Sequence, residues 1–276
     1  MKRLLLLLVW ILVAVGCHGE DVPTNVSHEA KETELEEKQK DEETGEEMEP
    51  IIETEEEIEE TEVNGVQQRY TINKTNWLVE PIGDANEKIV LLTIDDAPEH
   101  YSVAMAETLS TLNAGAIFFV NGHFITTEEG QQKLKKIHDL GFEIGNHTMT
   151  HPNMSQLTES EQKKEIIQLN NLIEEIIGER PRFYRAPFGV NTETSNQVVK
   201  EEGMQAMNWT YGYDWEAEYQ EAEALADIMV HSPFLTDGAN LLMHDREWTK
   251  DALERIIIGL REKQYEIVNP KEIRIE

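Results

Sequence analysis

Residues 88–100 read KIVLLTIDDAPEH, an apolar run that ends in two adjacent aspartates, Asp95 and Asp96. The apolar part is typical of a buried β-strand. Neighbouring side chains on a strand point to opposite faces, and two carboxylates that lie close together repel each other. The stretch therefore predicts either a solvated strand end or a site that needs both carboxylates.

The composition limits the classes of function. The chain has 276 residues, with 24 Lys and Arg against 55 Asp and Glu, which gives a net charge of −31. A nucleic-acid-binding protein needs a basic surface, so this balance argues against one. The length allows one large domain or two small ones.

The N-terminus has the pattern of a secretory signal. Lys2 and Arg3 precede an apolar run of about a dozen residues, whereas a membrane-spanning helix needs about 20. We therefore predict a signal peptide over residues 1–16, with an uncleaved N-terminal anchor as the alternative.

Residues 14–17, AVGC, resemble the lipobox of a bacterial lipoprotein. Ala14 stands where that motif usually has Leu, so the match is imperfect. Cys17 is the only cysteine of the chain and has no partner for an intramolecular disulfide. We predict that Cys17 is lipidated and anchors the protein outside the cytoplasm, on the cell membrane.

The segment that follows, residues 17–66, is dominated by Glu, Thr and Lys. About 20 acidic side chains stand against three basic ones, and apolar residues are too few to form a core. We predict a disordered acidic linker that tethers the rest of the chain to the membrane.

Residues 67–276 have a globular composition in which short β-like runs alternate with longer helix-like ones. This alternation predicts an α/β fold with a parallel sheet. The pattern alone fits both a closed (β/α) barrel and an open doubly wound sheet. The predicted strands are residues 88–95, 116–122, 142–146, 182–187, 204–210, 239–245 and 265–268.

Reactive side chains follow five of these strands. Parallel barrels and sheets carry their active sites at the C-terminal ends of the strands, so these side chains are expected to meet in one site. They are Asp95, Asp96, His147, His151, Arg185, Asp214, Trp215, His244 and Asp245.

Each group also has an ordinary structural interpretation. His147 and His151 stand four residues apart, and with a carboxylate they form a common ligand set for a catalytic metal. Taken alone, the pair is more often two loop histidines, and Pro152 disfavours a helix at His151. Arg185 either is solvated at the surface or holds a carboxylate in place.

Taken together, the motifs are more specific. The ordered set TIDD, H-x3-H, R-x-P-F-G, DW and L-x-H-D, over about residues 85–270, resembles the polysaccharide deacetylase family. This family is also called the NodB-homology or carbohydrate esterase 4 family. The resemblance implies a distorted parallel (β/α)7-type barrel with a divalent metal at its mouth. Zinc is the first expectation, and cobalt, nickel and manganese are alternatives.

The resemblance also implies a role for each residue at a matching position. The expected metal ligands are Asp96, His147 and His151. The expected proton-transfer groups are the general base Asp95, the general acid His244, and their partners Arg185 and Asp214. The expected substrate contacts are the backbone N–H of Phe188 at the oxyanion, and Trp215 and Leu242 around the acetyl group.

Two positions depart from the family pattern. Ala97 replaces the glycine of D-D-G-P, and it would be strained if that position requires a positive φ. Tyr211 replaces an aspartate that often opens the fourth motif. Neither change removes an expected metal ligand or proton-transfer group.

These features predict a monomeric, membrane-tethered and metal-dependent deacetylase of an N-acetylated glycan. Peptidoglycan is the favoured substrate because the anchor and linker would place the domain beside the cell wall. The alternatives are an O-acetyl esterase acting on xylan-like polymers and a catalytically silent lipoprotein that binds the wall.

Overall fold

The computed structural model describes residues 62–63 and 65–276. The predicted signal peptide, the lipidation at Cys17 and nearly all of the acidic linker lie outside these residues. Within the part that is described, every helix is too short or too polar to cross a bilayer.

The strands and helices follow one another in the order expected from the sequence. The strands are β1 (Glu62–Val63), β2 (Val66–Gln67), β3 (Tyr70–Ile72), β4 (Val79–Pro81), β5 (Ile89–Ala97), β6 (Ile117–Val120), β7 (Glu143–Asn146), β8 (Phe183–Tyr184), β9 (Gln205–Ala206), β10 (Ala239–His244) and β11 (Glu266–Ile267). The helices are α1 (Ser102–Thr111), α2 (Glu128–Asp139), α3 (Glu159–Ile177), α4 (Glu193–Glu201), α5 (Ala222–His231) and α6 (Glu247–Glu262).

Seven strands form one parallel sheet in the order β10-β5-β6-β7-β8-β9, and β11 pairs with the start of β5. All seven predicted strands are therefore confirmed. Helices α1 to α6 occupy the helix-like stretches between these strands. Strand β5 pairs with β10 on one side and with β6 on the other. The strand that carries Asp95 and Asp96 is therefore an interior strand of the sheet.

The sheet curls until its two edges meet, which decides between the two folds left open by the sequence. Tyr211, just after β9, forms a parallel bridge with Leu241 of β10. The Leu242 N–H donates to the Tyr211 carbonyl at 2.9 Å. A Cβ on Gly212 would lie 2.3 Å from the Leu242 carbonyl oxygen, so the closure requires glycine there. The structure is a distorted barrel closed by a single bridge, as the family resemblance implied.

Alternation along β5 separates two apolar cores. Ile89 and Leu91 lie in the cluster inside the barrel, together with Phe119 and Phe183 of neighbouring strands. The intervening residues of β5 belong to the larger cluster that packs against the surrounding helices. Because both faces of β5 are buried, the strand reads as a continuous apolar run.

A small antiparallel hairpin, β3 with β4, closes the N-terminal end of the barrel. Tyr70, Ile72 and Val79 are buried in the inner cluster. The Val79 N–H donates to the Gly238 carbonyl just before β10, and a Cβ on Gly238 would lie 2.3 Å from the Val79 carbonyl oxygen. The hairpin of residues 70–81 therefore forms the floor of the barrel.

We predict that Ile72→Ala lowers the free energy of unfolding by about 2–5 kcal/mol, because it leaves a cavity in the floor of the barrel. Ile72 is 2% exposed, whereas Ile258 on α6 is 44% exposed. The matched substitution Ile258→Ala should change the free energy by less than about 0.5 kcal/mol. Urea unfolding followed by circular dichroism measures both, and equal effects would contradict this assignment of the hairpin.

Candidate active site at the barrel mouth

A cleft of about 540 Å³ opens at the C-terminal ends of the barrel strands. Nine of the residues predicted for the site line it, Arg185 lies beneath it, and Cys17 is outside the described residues. The nine are Asp95, Asp96, His147, His151, Phe188, Asp214, Trp215, Leu242 and His244.

The end of β5 brings both aspartates to the same cleft. Strand alternation alone would separate them, but Asp96 has a φ of +63° and the pairing of β5 with β6 shifts register between Ile94 and Ala97. Aspartate tolerates this left-handed conformation better than most residues. As a result, Asp95 Oδ2 lies 3.5 Å and Asp96 Oδ1 lies 4.0 Å from His147 Nε2.

Ala97 does not meet the condition under which it would be strained. The left-handed residue of this turn is Asp96, and Ala97 is absent from the described residues with positive φ. Its side chain is fully buried in the larger apolar cluster, which packs against the surrounding helices. A methyl group at the position where the family usually has glycine is therefore accommodated by the core.

The two histidines lie on a loop after β7, as Pro152 indicated. Asn146 Oδ1 accepts the Thr148 N–H at 2.9 Å, and Asn121 Nδ2 donates to the His147 carbonyl at 2.5 Å. Thr148 and His151 both have positive φ, and the His151 N–H donates to Thr148 Oγ1 at 3.2 Å. The buried amide side chains of Asn121 and Asn146 thus stabilise a loop whose backbone is not helical.

Asp96, His147 and His151 form a set of potential metal ligands. Their ligand atoms all lie within 4.8 Å of one another. His147 Nδ1 lies 2.7 Å from the Arg185 carbonyl, which can only accept, so this nitrogen carries the proton and Nε2 is left free. Two imidazoles and one carboxylate are a usual donor set for a catalytic divalent metal with open positions, so these residues fit such an ion.

The charge states of these ligands favour a cation. Burial alone would raise the pKa of the Asp96 carboxyl, but electrostatic interactions with His147, His244 and Arg246 outweigh burial and hold that pKa below its usual range. Burial, reinforced by the nearby His147, lowers the pKa of His151. An ionised carboxylate and a neutral imidazole are the forms that bind a metal.

Arg185 is fully buried below the cleft, which rules out a solvated surface arginine. Its Nη1 donates to Asp95 Oδ1 at 2.7 Å and to Thr93 Oγ1 at 2.8 Å, and its Nη2 donates to the Asn208 carbonyl at 2.9 Å. The guanidinium also lies 4.3 Å from the centre of the Phe119 ring. These contacts fix one oxygen of Asp95 and leave its other oxygen on the side of the histidines.

His244 and Asp214 form a second pair across the cleft. His244 Nδ1 lies 2.7 Å from Asp214 Oδ1, and the His244 backbone N–H donates to Asp214 Oδ2 at 2.6 Å. Thr249 Oγ1 and Trp248 Nε1 donate to the side chain and the carbonyl of Asp214, each at 2.8 Å. Burial would lower the pKa of His244, but the hydrogen bond and charge of Asp214, with Asp95, outweigh it and raise that pKa.

Aromatic rings flank the two sides of the site. The Phe188 ring is 65% exposed and packs edge-on against His151, and the Trp215 ring is 44% exposed and packs edge-on against His244. Leu242 is buried between the strands. The backbone N–H of Phe188, which has a φ of +59°, has no hydrogen-bond acceptor within the described part of the chain. It is available to a ligand.

Asp245 does not join the site, although it stands beside His244 in the sequence. It is buried and accepts hydrogen bonds from the N–H groups of His100, Tyr101 and Ser102, and from the Ser102 hydroxyl at 2.6 Å. Asp245 therefore caps the N-terminus of α1. Its role is to hold the loop after β5 in place.

Sequence reasoning missed several residues that line or support the cleft. Aromatic residues near Trp215, and the sequence HDREW at residues 244–248, gave a weak signal for some of them. Thr93 lies in the TIDD motif but was given no role, and no local pattern indicated Asn121. The missed residues are Thr93, Asn121, Trp209, Gln220, Arg246 and Trp248.

Comparison with known proteins places this site in a family. The polysaccharide deacetylase family model matches residues 82–207. The peptidoglycan-N-acetylmuramic acid deacetylase PdaA of Bacillus subtilis is 30% identical over 190 residues, which cover 67% of this chain and 70% of PdaA. A peptidoglycan-N-acetylglucosamine deacetylase of Bacillus cereus is 28% identical over 188 residues, or 66% of each chain.

A solved structure has the same fold. It is a carbohydrate esterase family 4 pseudoenzyme from Bacillus anthracis, with a TM-score of 0.61 and 29% identity over 69% of this chain and 68% of that one. The chain spans between 39% and 70% of the length of eight curated relatives that it matches. The family model spans β5 to β9, and PdaA is 30% identical to this chain, which covers 70% of PdaA; this chain belongs to the polysaccharide deacetylase family.

Proposed function

We propose that this protein is a metal-dependent deacetylase that hydrolyses N-acetyl groups of an extracellular glycan and releases acetate. Peptidoglycan amino sugars are the favoured substrate, because the relatives named above act on them. The observation that carries the proposal is the pair of proton-transfer groups, Asp95 with Arg185 and His244 with Asp214, on either side of the potential metal ligands.

Asp95 is suited to act as the general base. Arg185 holds its Oδ1 at 2.7 Å, while its Oδ2 lies beside His147 and remains able to accept a proton from water. A divalent ion bound by Asp96, His147 and His151 would supply a Lewis acid for the amide carbonyl and lower the pKa of water. Arg185 fixes the direction of this carboxylate, which a base requires.

His244 is suited to act as the general acid. The nitrogen released from an amide leaves poorly unless it is protonated, so a positioned acid is needed. Asp214 holds His244 through Nδ1, which leaves Nε2 as the nitrogen that can donate to the leaving group. The raised pKa of His244 keeps the ring protonated to higher pH than an ordinary histidine.

The remaining cleft residues suit the acetyl group and the developing oxyanion. The free N–H of Phe188 can donate to the oxyanion, as such donors do in acyl-transfer sites. Trp215 and Leu242 offer an apolar wall for the methyl group of acetate. The exposed face of Trp215 extends this wall towards solvent and offers a stacking surface for a sugar ring.

Zinc is the metal that we propose. Two histidine nitrogens with one carboxylate oxygen are typical of catalytic zinc sites that retain an open position. Cobalt, nickel and manganese accept the same donor types, so the donor set alone ranks zinc first without excluding them.

The likeness to a pseudoenzyme raises the alternative of a silent wall-binding protein. In this chain both proton-transfer pairs and all three potential metal ligands are present and close together. This arrangement supports an active enzyme. An O-acetyl esterase acting on xylan-like polymers would use the same groups, so substrate comparison has to decide between the two activities.

We also propose a location and an assembly state. Lipidation of Cys17 would anchor the protein to the outer face of the cell membrane, and the acidic linker would let the barrel reach the wall. The assembly state that we propose is a monomer.

We predict that the zinc-loaded protein releases acetate from N-acetylated glycans, and that Asp95→Asn slows this release by about 10²–10⁴-fold because the base is lost. Acetate is measured with peptidoglycan, N-acetylglucosamine oligomers and O-acetylated xylan as substrates. Asp227→Asn, at an exposed position in the middle of α5, is the matched control and should retain full activity.

Release from none of these glycans, with stoichiometric metal confirmed by elemental analysis, would refute the deacetylase proposal. Release from acetylated xylan alone would establish the esterase alternative. Chelator treatment should abolish the activity, and added zinc should restore it, because the metal is part of the site.

Asp214→Asn should lower the pKa of His244. Asp214 raises that pKa, so its loss makes the ring deprotonate at lower pH, and the alkaline limb of the pH–rate profile moves to lower pH. NMR titration of the His244 ring in metal-stripped protein measures the pKa directly. Asp227→Asn, whose carboxylate lies 3.0 Å from exposed His231, should leave the His244 titration unchanged. An unchanged pKa of His244 in Asp214→Asn would contradict the proposal that Asp214 raises that pKa.

Cys17→Ser should move the protein from the membrane fraction to the soluble fraction of a bacterial host, because lipidation is lost. Fractionation and a lipid label on the full-length chain measure this change. The catalytic variant Asp95→Asn serves as control and should stay in the membrane fraction. Retention of Cys17→Ser in the membrane would instead support an uncleaved N-terminal anchor.

A further inference from the structure

Arg246 lies at the cleft but takes no part in the proton-transfer pairs. It precedes α6, at the N-cap position of that helix, and its side chain extends back over the loop that follows β5. The side chain is 35% exposed. Nothing in the L-x-H-D motif accounts for an arginine at this position.

The guanidinium is held by three acceptors. Its Nη1 donates to Glu99 Oε2 and to the Asp245 carbonyl, each at 3.0 Å, and its Nη2 donates to Asp96 Oδ2 at 2.8 Å. Asp245 is itself fixed, because it caps α1. Arg246 therefore presents a rigid donor to one particular oxygen of Asp96.

The two oxygens of Asp96 have different partners as a result. Oδ2 faces Arg246, whereas Oδ1 faces the histidines, 3.6 Å from His151 Nε2 and 4.0 Å from His147 Nε2. A carboxylate whose second oxygen is held by a guanidinium has only one oxygen left for a cation. Catalysis at such a site requires open positions for water and for the substrate.

We propose that Arg246 is a positioning residue that makes Asp96 a one-oxygen metal ligand and thereby keeps a coordination position free. Outer partners of this kind orient metal ligands in many proteins, and their loss typically costs about 10–100-fold in affinity or activity. The inference rests on the proposed function only in requiring that the site holds a divalent cation.

The test uses the full-length protein, stripped of metal and then saturated with Co²⁺. In Arg246→Gln, Oδ2 of Asp96 is free to bind as well, so the coordination number rises and the visible absorption of Co²⁺ weakens. With the glycan that supports acetate release, kcat should fall about tenfold or more with little change in KM, because a reaction position is lost.

Two further variants separate positioning from simple charge or stability. Arg246→Lys keeps the charge, but one ammonium cannot reproduce the planar fork that contacts Asp96 and Glu99 together, so it should only partly restore the spectrum and kcat. Arg180 is the matched control, since it is also 35% exposed and also bridges two carboxylates, those of Glu174 and Glu202. Arg180→Gln should leave both readouts unchanged.

A Co²⁺ spectrum of Arg246→Gln that superimposes on that of the parent protein would overturn the proposal. Full restoration by Arg246→Lys would also overturn it, because charge alone would then suffice. If the parent protein deacetylates no glycan, the proposed function fails, but the spectra still decide the role of Arg246. Unfolding curves of each variant confirm that the proteins being compared are folded.

Discussion

The mouth of the barrel depends on the buried ion pair between Arg185 and Asp95. A guanidinium without access to water is costly unless it is paired and hydrogen-bonded, and here Asp95, Thr93 and the Asn208 carbonyl accept from its two terminal nitrogens. The carbonyl of the same arginine also holds His147 Nδ1. One residue thus orients the proposed base with its side chain and a potential metal ligand with its backbone.

Three carboxylates at one cleft would repel one another, but each has a separate cationic or imidazole partner. Asp95 is paired with Arg185, Asp96 with Arg246, and Asp214 with His244. This pairing answers the question that the two adjacent aspartates raised. The groups differ in their partners and exposure, and such differences allow chemically identical side chains to take different roles.

Much of the fold could be predicted because its signal is local. Each barrel strand is an apolar run and each helix has its own periodicity, so their order follows from the sequence. Barrel closure, which Tyr211 and Leu241 make, was expected only from the family resemblance, since a single bridge leaves no periodic pattern in the sequence. The hairpin floor was missed for a similar reason, because β3 and β4 have only three residues each.

Strand pattern and residue identity are local properties, so the order of the reactive side chains at the strand ends could be predicted from the sequence. The orientation of those side chains and their hydrogen-bond partners depend on the tertiary structure. The left-handed turn at Asp96, which also removes the concern about Ala97, depends on the shifted pairing of β5 with β6. The contact between Arg246 and Asp96 joins residues 150 positions apart, and no local pattern can encode a contact that only the packing of α6 against the β5 loop creates.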